Sequence, residues 1–105
     1  MKNDSPDKQF DLLISNYLSQ NNKYELQIRH FREFLSTEKL EDRAFNLYPS
    51  DIDEFFKWAF KGNIGTEAQV NSHISALESF FDYLISQGYK FSELNGHINS
   101  SEFRT

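Results

Sequence analysis

The chain has 105 residues and no cysteine. That excludes disulfides and thiolate metal sites, and makes an intracellular, cytoplasmic setting the expectation. No apolar run approaches the roughly 20 residues that a membrane span needs. The opening "MKNDSPDKQF" lacks the apolar segment of a signal peptide. No membrane partner is expected. Internal repeats, low-complexity tracts and a glycine-rich phosphate loop are all missing.

Catalytic chemistry is equally sparse. An enzyme needs a positioned acid, base or nucleophile, and no constellation of that kind can be read. The three histidines, His30, His73 and His97, stand on separate predicted elements without ligand spacing, and there is no His-Glu-x-x-His pair. Neither a metal nor a cofactor is expected, and the chain is not expected to be an enzyme. His73 borders an apolar stripe and reads as a packed or partly exposed core-edge residue. Asp51, Asp53 and Glu54 could suggest a cation cluster, but they open a predicted helix, where carboxylates oppose the positive end of the dipole.

An excess of basic residues is missing too. The formal net charge is −5, and an acidic domain repels nucleic acid at long range, since phosphate is held by Lys and Arg. Charge is local, however. One stretch, residues 21–40, is net positive, with Lys23, Arg29, Arg32 and Lys39 against Glu25, Glu33 and Glu38.

What the chain does have is phenylalanine, 11 in all. Each buried ring removes about 150–250 Å² or a little less from water. A chain of this length hides roughly 65% of its unfolded surface, enough for one domain with a real core. Periodicity and caps predict four helices. The first starts with Ser5 as N-cap and Pro6 at its first position, carrying Phe10, Leu13, Ile14, Tyr17 and Leu18 on one face. Short polar residues 19–22 interrupt it. The second covers about residues 22–37, with Tyr24, Ile28, Phe31, Phe34 and Leu35 inward and Leu26, Arg29, Glu33 and Ser36 outward.

Residues 36–50 then read as a loop with a short turn, plugged into the core by Leu40, Phe45 and Leu47. The third helix begins at Ser50 after Pro49 and stops at Gly62. Its inner face is Ile52, Phe55, Phe56 and Ala59, with Trp58 and Phe60 at the margins. The fourth opens on a capping box, Thr66 with Gln69, and runs to Gln87 before Gly88. Val70, Ile74, Leu77, Phe80, Phe81 and Leu84 form its stripe, and Asn71, Ser72, Ser75, Ser79 and Asp82 its opposite face. Residues 1–89 thus read as one all-α, four-helix domain, and residues 90–105 as a tail or linker.

Residues 73–89, "HISALESFFDYLISQGY", say more by their order than by their composition. An apolar residue, Ser-Ala-Leu, an aromatic pair, a leucine and a glycine stand as Ile74, Ser75-Ala76-Leu77, Phe80-Phe81, Leu84 and Gly88. This resembles the last helix of the core-binding domain of tyrosine recombinases, the phage-type integrases. "LYPSDIDEFFKW" (residues 47–58) resembles that family's third-helix entry, and "NNKYELQIRHFREFL" (residues 21–35) its second helix. The resemblance covers about residues 5–90.

It implies a SAM-like four-helix bundle that binds one side of duplex DNA for integration and recombination. A separate catalytic domain would close from the other side, and subunits would contact one another on DNA. The family's catalytic Arg, His and Tyr belong to that other domain. His30 is followed by Phe31-Arg32-Glu33, which is not His-x-x-Arg, and no catalytic residue carries over. Residues 90–105 would then lead towards the catalytic domain.

By position, the DNA contacts the resemblance implies are Lys23, Arg29, His30 and Arg32 on the second helix, and Asn71, Ser72 and Ser75 on the fourth. Lys and Arg neutralise phosphate, while Asn and Ser can bond phosphate or base edges. Three positions depart from the pattern. Glu78 stands where a basic residue is usual, Lys23 where threonine is frequent, and Gln27 where tyrosine follows. Glu78 would repel a nearby phosphate. The alternative reading is an acidic helical protein–protein module without DNA affinity of its own, with Trp58 and Phe60 at its margins.

Overall fold

The computed structural model describes residues 6–60 and 67–100, and these are all-helical. Five α-helices follow in order: α1 (Pro6–Gln20), α2 (Glu25–Thr37), α3 (Pro49–Phe60), α4 (Glu67–Ser86) and α5 (Ser92–Ser100). Short 3₁₀ turns precede α2 at Asn22–Tyr24 and α3 at Glu41–Arg43. The expected caps at Ser5, Gly62 and Thr66 lie outside the described residues.

The apolar stripes of the first four helices become the core. Phe10, Ile14, Tyr17, Ile28, Phe31, Phe34, Leu35, Ile52, Phe55, Ile74, Leu77, Phe80, Phe81 and Leu84 are all buried. Their rings meet mostly edge to face, as Phe31 with Phe55 at 5.1 Å and Phe10 with Phe80 at 5.7 Å. That geometry sets the positive edge of one ring against the negative face of the next. In the loop Leu47 is buried, and Leu40 and Phe45 are half-buried against the core, Phe45 stacking on Tyr89. Ala44, not expected there, is fully inside.

Three expectations are corrected. Residues 22–24 wind as a 3₁₀ turn, so the α-helical part of the second helix begins at Glu25. The third begins at Pro49, whose missing N–H falls where a helix has no internal acceptor for it. The largest correction is at residues 90–105, part of which is folded: α5 packs on α4 and α3. Phe91, Leu94 and Ile98 are buried, and Phe91 lies 5.1 Å from Phe81. The bundle therefore has five α-helices among the described residues.

α2 and α4 end in the same way. After α2, the Leu40 amide donates to the Leu35 carbonyl at 2.7 Å and the Lys39 amide to that of Ser36 at 3.2 Å. After α4, the Tyr89 amide donates to Leu84 at 3.0 Å and the Gly88 amide to Ile85 at 2.9 Å. Both are Schellman closures, which turn the chain through one residue of left-handed backbone. Gly88 takes φ 95° without a side-chain penalty, but Lys39 takes φ 59° with one.

α4 is the central helix, packed against α1, α2 and α5. Its expected polar face is only partly open: Asn71, Ser72, Ser75 and Ser79 are half-buried and Asp82 is exposed. The Tyr17 hydroxyl donates to Ser79 Oγ at 2.7 Å, and Asn95 Nδ2 donates to Asp82 at 2.8 Å.

Candidate nucleic-acid interface

The net-positive stretch divides into two kinds of cation. At the start of α2, Lys23 is exposed and its Nζ lies 5.3 Å from the centre of the Tyr24 ring. Six residues on, in α2, Arg29 Nε donates to Glu25 Oε2 at 2.8 Å, with 63% of the arginine side chain still exposed. An i, i+4 pair of this type stabilises by only about 0.3–0.5 kcal/mol. Asn22, Lys23, Glu25, Leu26 and Arg29 line an open hollow of about 420 Å³. Leu26, one of these, is 77% exposed.

Arg32 is different. Its guanidinium donates to both carboxylate oxygens of Asp11 on α1 and lies 3.1 Å from Glu41 in the second 3₁₀ turn. Its side chain is 19% exposed. The hydrogen bond to Asp11 leads the effects that raise its pKa, against the opposing effect of burial. Arg29 and Arg32 also line a groove of about 440 Å³ between α1 and α2, together with Asp11, Ser15, Glu33 and Ser36. With Asp11 and Glu33 opposing them, that groove carries no positive excess.

His30 does not face solvent freely. Its Nδ1 lies 3.1 Å from His73 Nε2 on α4, and its ring packs against Trp58 at 4.9 Å and Phe55 at 6.0 Å. Two histidines that looked unrelated in sequence are therefore in contact, and His73 is buried, the packed form of the core-edge residue expected there. Burial first, and then the neighbouring His30, hold the His73 pKa below its usual value, although the Gln69 carbonyl works the other way.

On α4, Asn71, Ser72 and Ser75 are half-buried. Asn71 Oδ1 is buried without a hydrogen-bond partner among the described residues. The structure thus brings Lys23 and Arg29 together on one exposed surface. It locks Arg32 and His30 into internal contacts, and leaves Asn71, Ser72 and Ser75 in the flank of a central helix.

The acidic opening of α3 resolves into three separate contacts. Asp51 accepts from Arg43 at 2.7 and 3.1 Å and from the Tyr48 amide at 2.8 Å. Asp53 meets His97 of α5 at 2.9 Å, and Glu54 meets Lys57 at 3.4 Å. The Tyr48 bond is the returning half of a capping box, with the carboxylate at the third helical position. Arg43 also lies over the Tyr48 ring at 5.1 Å. Among the described residues no three His, Cys, Asp or Glu side chains form a group able to hold a metal ion. Nor is any described helix long and apolar enough to cross a membrane.

Compared with protein-family models, curated proteins and solved structures, the chain matches none. The order of residues and the geometry above are what a functional reading has to stand on.

Proposed function

We propose that this chain is a DNA-binding domain of the tyrosine-recombinase core-binding type, with a SAM-like helical arrangement. It would act in the cytoplasm, positioning a recombination-site duplex for a separate catalytic domain and meeting further copies of itself on DNA. The observation that carries the reading is the ordered set Ile74, Ser75-Ala76-Leu77, Phe80-Phe81, Leu84 and Gly88 along α4, with its companion stretches in α2 and α3. Exposed Lys23 and Arg29 supply the cations that phosphate needs, on an otherwise acidic molecule. Because Arg32 is held by two carboxylates, the proposed contact is small: two phosphates, centred on the start of α2.

A small contact gives a small salt dependence. Each neutralised phosphate contributes about 0.9 to the slope of log K against log salt, so this surface predicts a slope near −2. The test is an amide chemical-shift titration with a short generic duplex at low salt, repeated at rising salt. Salt-sensitive shifts centred on residues 22–30 support the reading. Their absence from α2 overturns it.

A second reading is favoured by Leu26, an apolar side chain that lines the same hollow and is 77% exposed. A protein partner would cover it, where a phosphate backbone gains nothing from it. In that case Leu26→Ser weakens association with the partner and leaves the duplex titration unchanged.

A further inference from the structure

The seam between α2 and α4 contains a pair of imidazoles whose hydrogen bonds fix where every proton sits. His73 Nδ1 lies 2.9 Å from the Gln69 carbonyl oxygen, which can only accept. His73 Nδ1 therefore carries the hydrogen, and in the neutral ring Nε2 is bare. His30 Nδ1, 3.1 Å from that bare nitrogen, must then be the donor. A chain of two N–H groups runs from His30 through His73 to the backbone of α4, and one ring nitrogen of the pair, His30 Nε2, is left to take a proton.

We propose that His30 and His73 form a proton-operated latch between α2 and α4, which accepts one proton while closed and opens on the second. The first proton goes to His30 Nε2. It leaves the Nδ1–H donation intact and places the imidazolium against the Trp58 ring, 4.9 Å away, where a cation is favoured. The second must go to His73 Nε2. There it sets N–H against N–H and brings two cations to hydrogen-bond distance, so the closed seam cannot hold it.

The surroundings offer little relief. From α3 the pair faces the rings of Phe55, Trp58 and Phe60. The charged residues of that stretch, Glu54 and Lys57, pair with each other and line, with Glu38, a hollow that Trp58 also borders. On α2, Arg29 is paired with Glu25, and Glu33 lines the groove towards α1. On α4 the next charged residue is Glu78, five positions along. Among the described residues, what acts on His73 is its own burial, the Gln69 carbonyl and His30, with no carboxylate among them.

The sign follows. A histidine that must stay neutral when folded gives its full stability above its unfolded pKa, about 6.5, and loses it as pH falls below that value. For one proton the unfolding equilibrium constant grows by up to about tenfold per pH unit. Carboxylates cannot imitate this, because their own losses begin near pH 4 or below.

The experiment is imidazole ¹⁵N NMR of the full chain from pH 8 to 4.5, with chemical denaturation of wild type and His73→Phe at the same pH values. Both rings are expected as Nδ1–H tautomers at pH 8. His73 Nε2 should remain unprotonated until the folded signals disappear. Wild-type stability should fall more steeply than that of His73→Phe between pH 6.5 and 5, the titrating groups that do not touch His73 cancelling in the difference. Protonation of both rings with folded α2 and α4 signals intact overturns the latch, as does an Nε2–H tautomer of His73 at pH 8. If His73→Phe does not fold, the wild-type titration decides alone. None of these outcomes bears on DNA binding, so the latch and the proposed function fail separately.

Discussion

Arg29 and Arg32 stand three residues apart on α2, and they belong to different parts of the molecule's chemistry. Arg29 shares its charge with Glu25 of its own helix, 2.8 Å away, and projects into solvent. Arg32 joins α2 to α1 through Asp11 and to the second 3₁₀ turn through Glu41. Arg43 is of the second kind, tying that turn to the start of α3 through Asp51. A cation bonded within one helical turn is spare, and a cation bonded between elements is structural. Counting Lys and Arg by segment cannot make this distinction, and it decides how many phosphates the domain could hold.

The largest effect is expected on the structural side, at Asp51. Its side chain is 12% exposed and accepts three hydrogen bonds, two from Arg43 and one from the Tyr48 amide. Asp51→Ala removes all three and leaves a cap amide without its partner, which should cost about 2–3 kcal/mol in chemical denaturation. The native carboxylate has a pH signature as well. Burial alone would raise its pKa, but the bonds from Arg43 and Tyr48 outweigh burial and hold it below the ordinary value. A depressed carboxylate contributes its stability above its unfolded pKa, about 3.9, and loses it as pH falls through the folded one. The gap between wild type and Asp51→Asn should therefore close below about pH 4. A gap that persists there would mean the hydrogen bonds, not the charge, carry the stability.

Arg32→Ala comes next. It should destabilise by about 1–3 kcal/mol, since it leaves Asp11 and Glu41 facing each other without their cation. Arg29→Ala should stay within about 0.5 kcal/mol. Equal losses for the two variants in thermal or denaturant unfolding would erase the distinction between spare and structural arginines.

The two Schellman caps bear on how much was readable in the sequence. Gly88 announced its cap, because glycine is the residue that left-handed backbone favours. Lys39 gave no sign, because nothing in a lysine predicts φ 59°. Lys39→Gly should stabilise by about 1 kcal/mol or slightly more, less the extra freedom that glycine gives the unfolded chain. An unchanged midpoint would mean the two terms cancel.

The same contrast between local and distant signals runs through the rest of the fold. Apolar spacing marked α1 to α4 because each buries a long stripe. α5 escaped because it is a nine-residue helix containing Gly96, with its buried apolar positions reduced to Leu94 and Ile98 and Phe91 just before it. The polar face read on α4 is partly occupied, because Tyr17 and Asn95 reach Ser79 and Asp82 from other elements and helical periodicity says nothing of neighbours. His30 and His73 lie 43 residues apart in sequence, so their contact left no local trace. Lys23 and Arg29 were legible as candidate phosphate contacts. That Arg32 was not spare could be learned only from its distant partners.

The smallest predicted change in stability is also the sharpest test of the spare cation. Glu25→Gln removes the carboxylate that shares Arg29's guanidinium and keeps the side chain's size. The i, i+4 pair it breaks is exposed, so stability should move by less than about 0.5 kcal/mol. Duplex affinity at low salt should rise severalfold, because the local charge of the Lys23–Arg29 surface doubles from one positive charge to two. Combining it with Arg29→Ala should return affinity close to that of Arg29→Ala alone, plus a smaller gain from the lost repulsion between Glu25 and phosphate. A rise that is just as large without Arg29 would place the effect in long-range charge and not in a phosphate held at the start of α2.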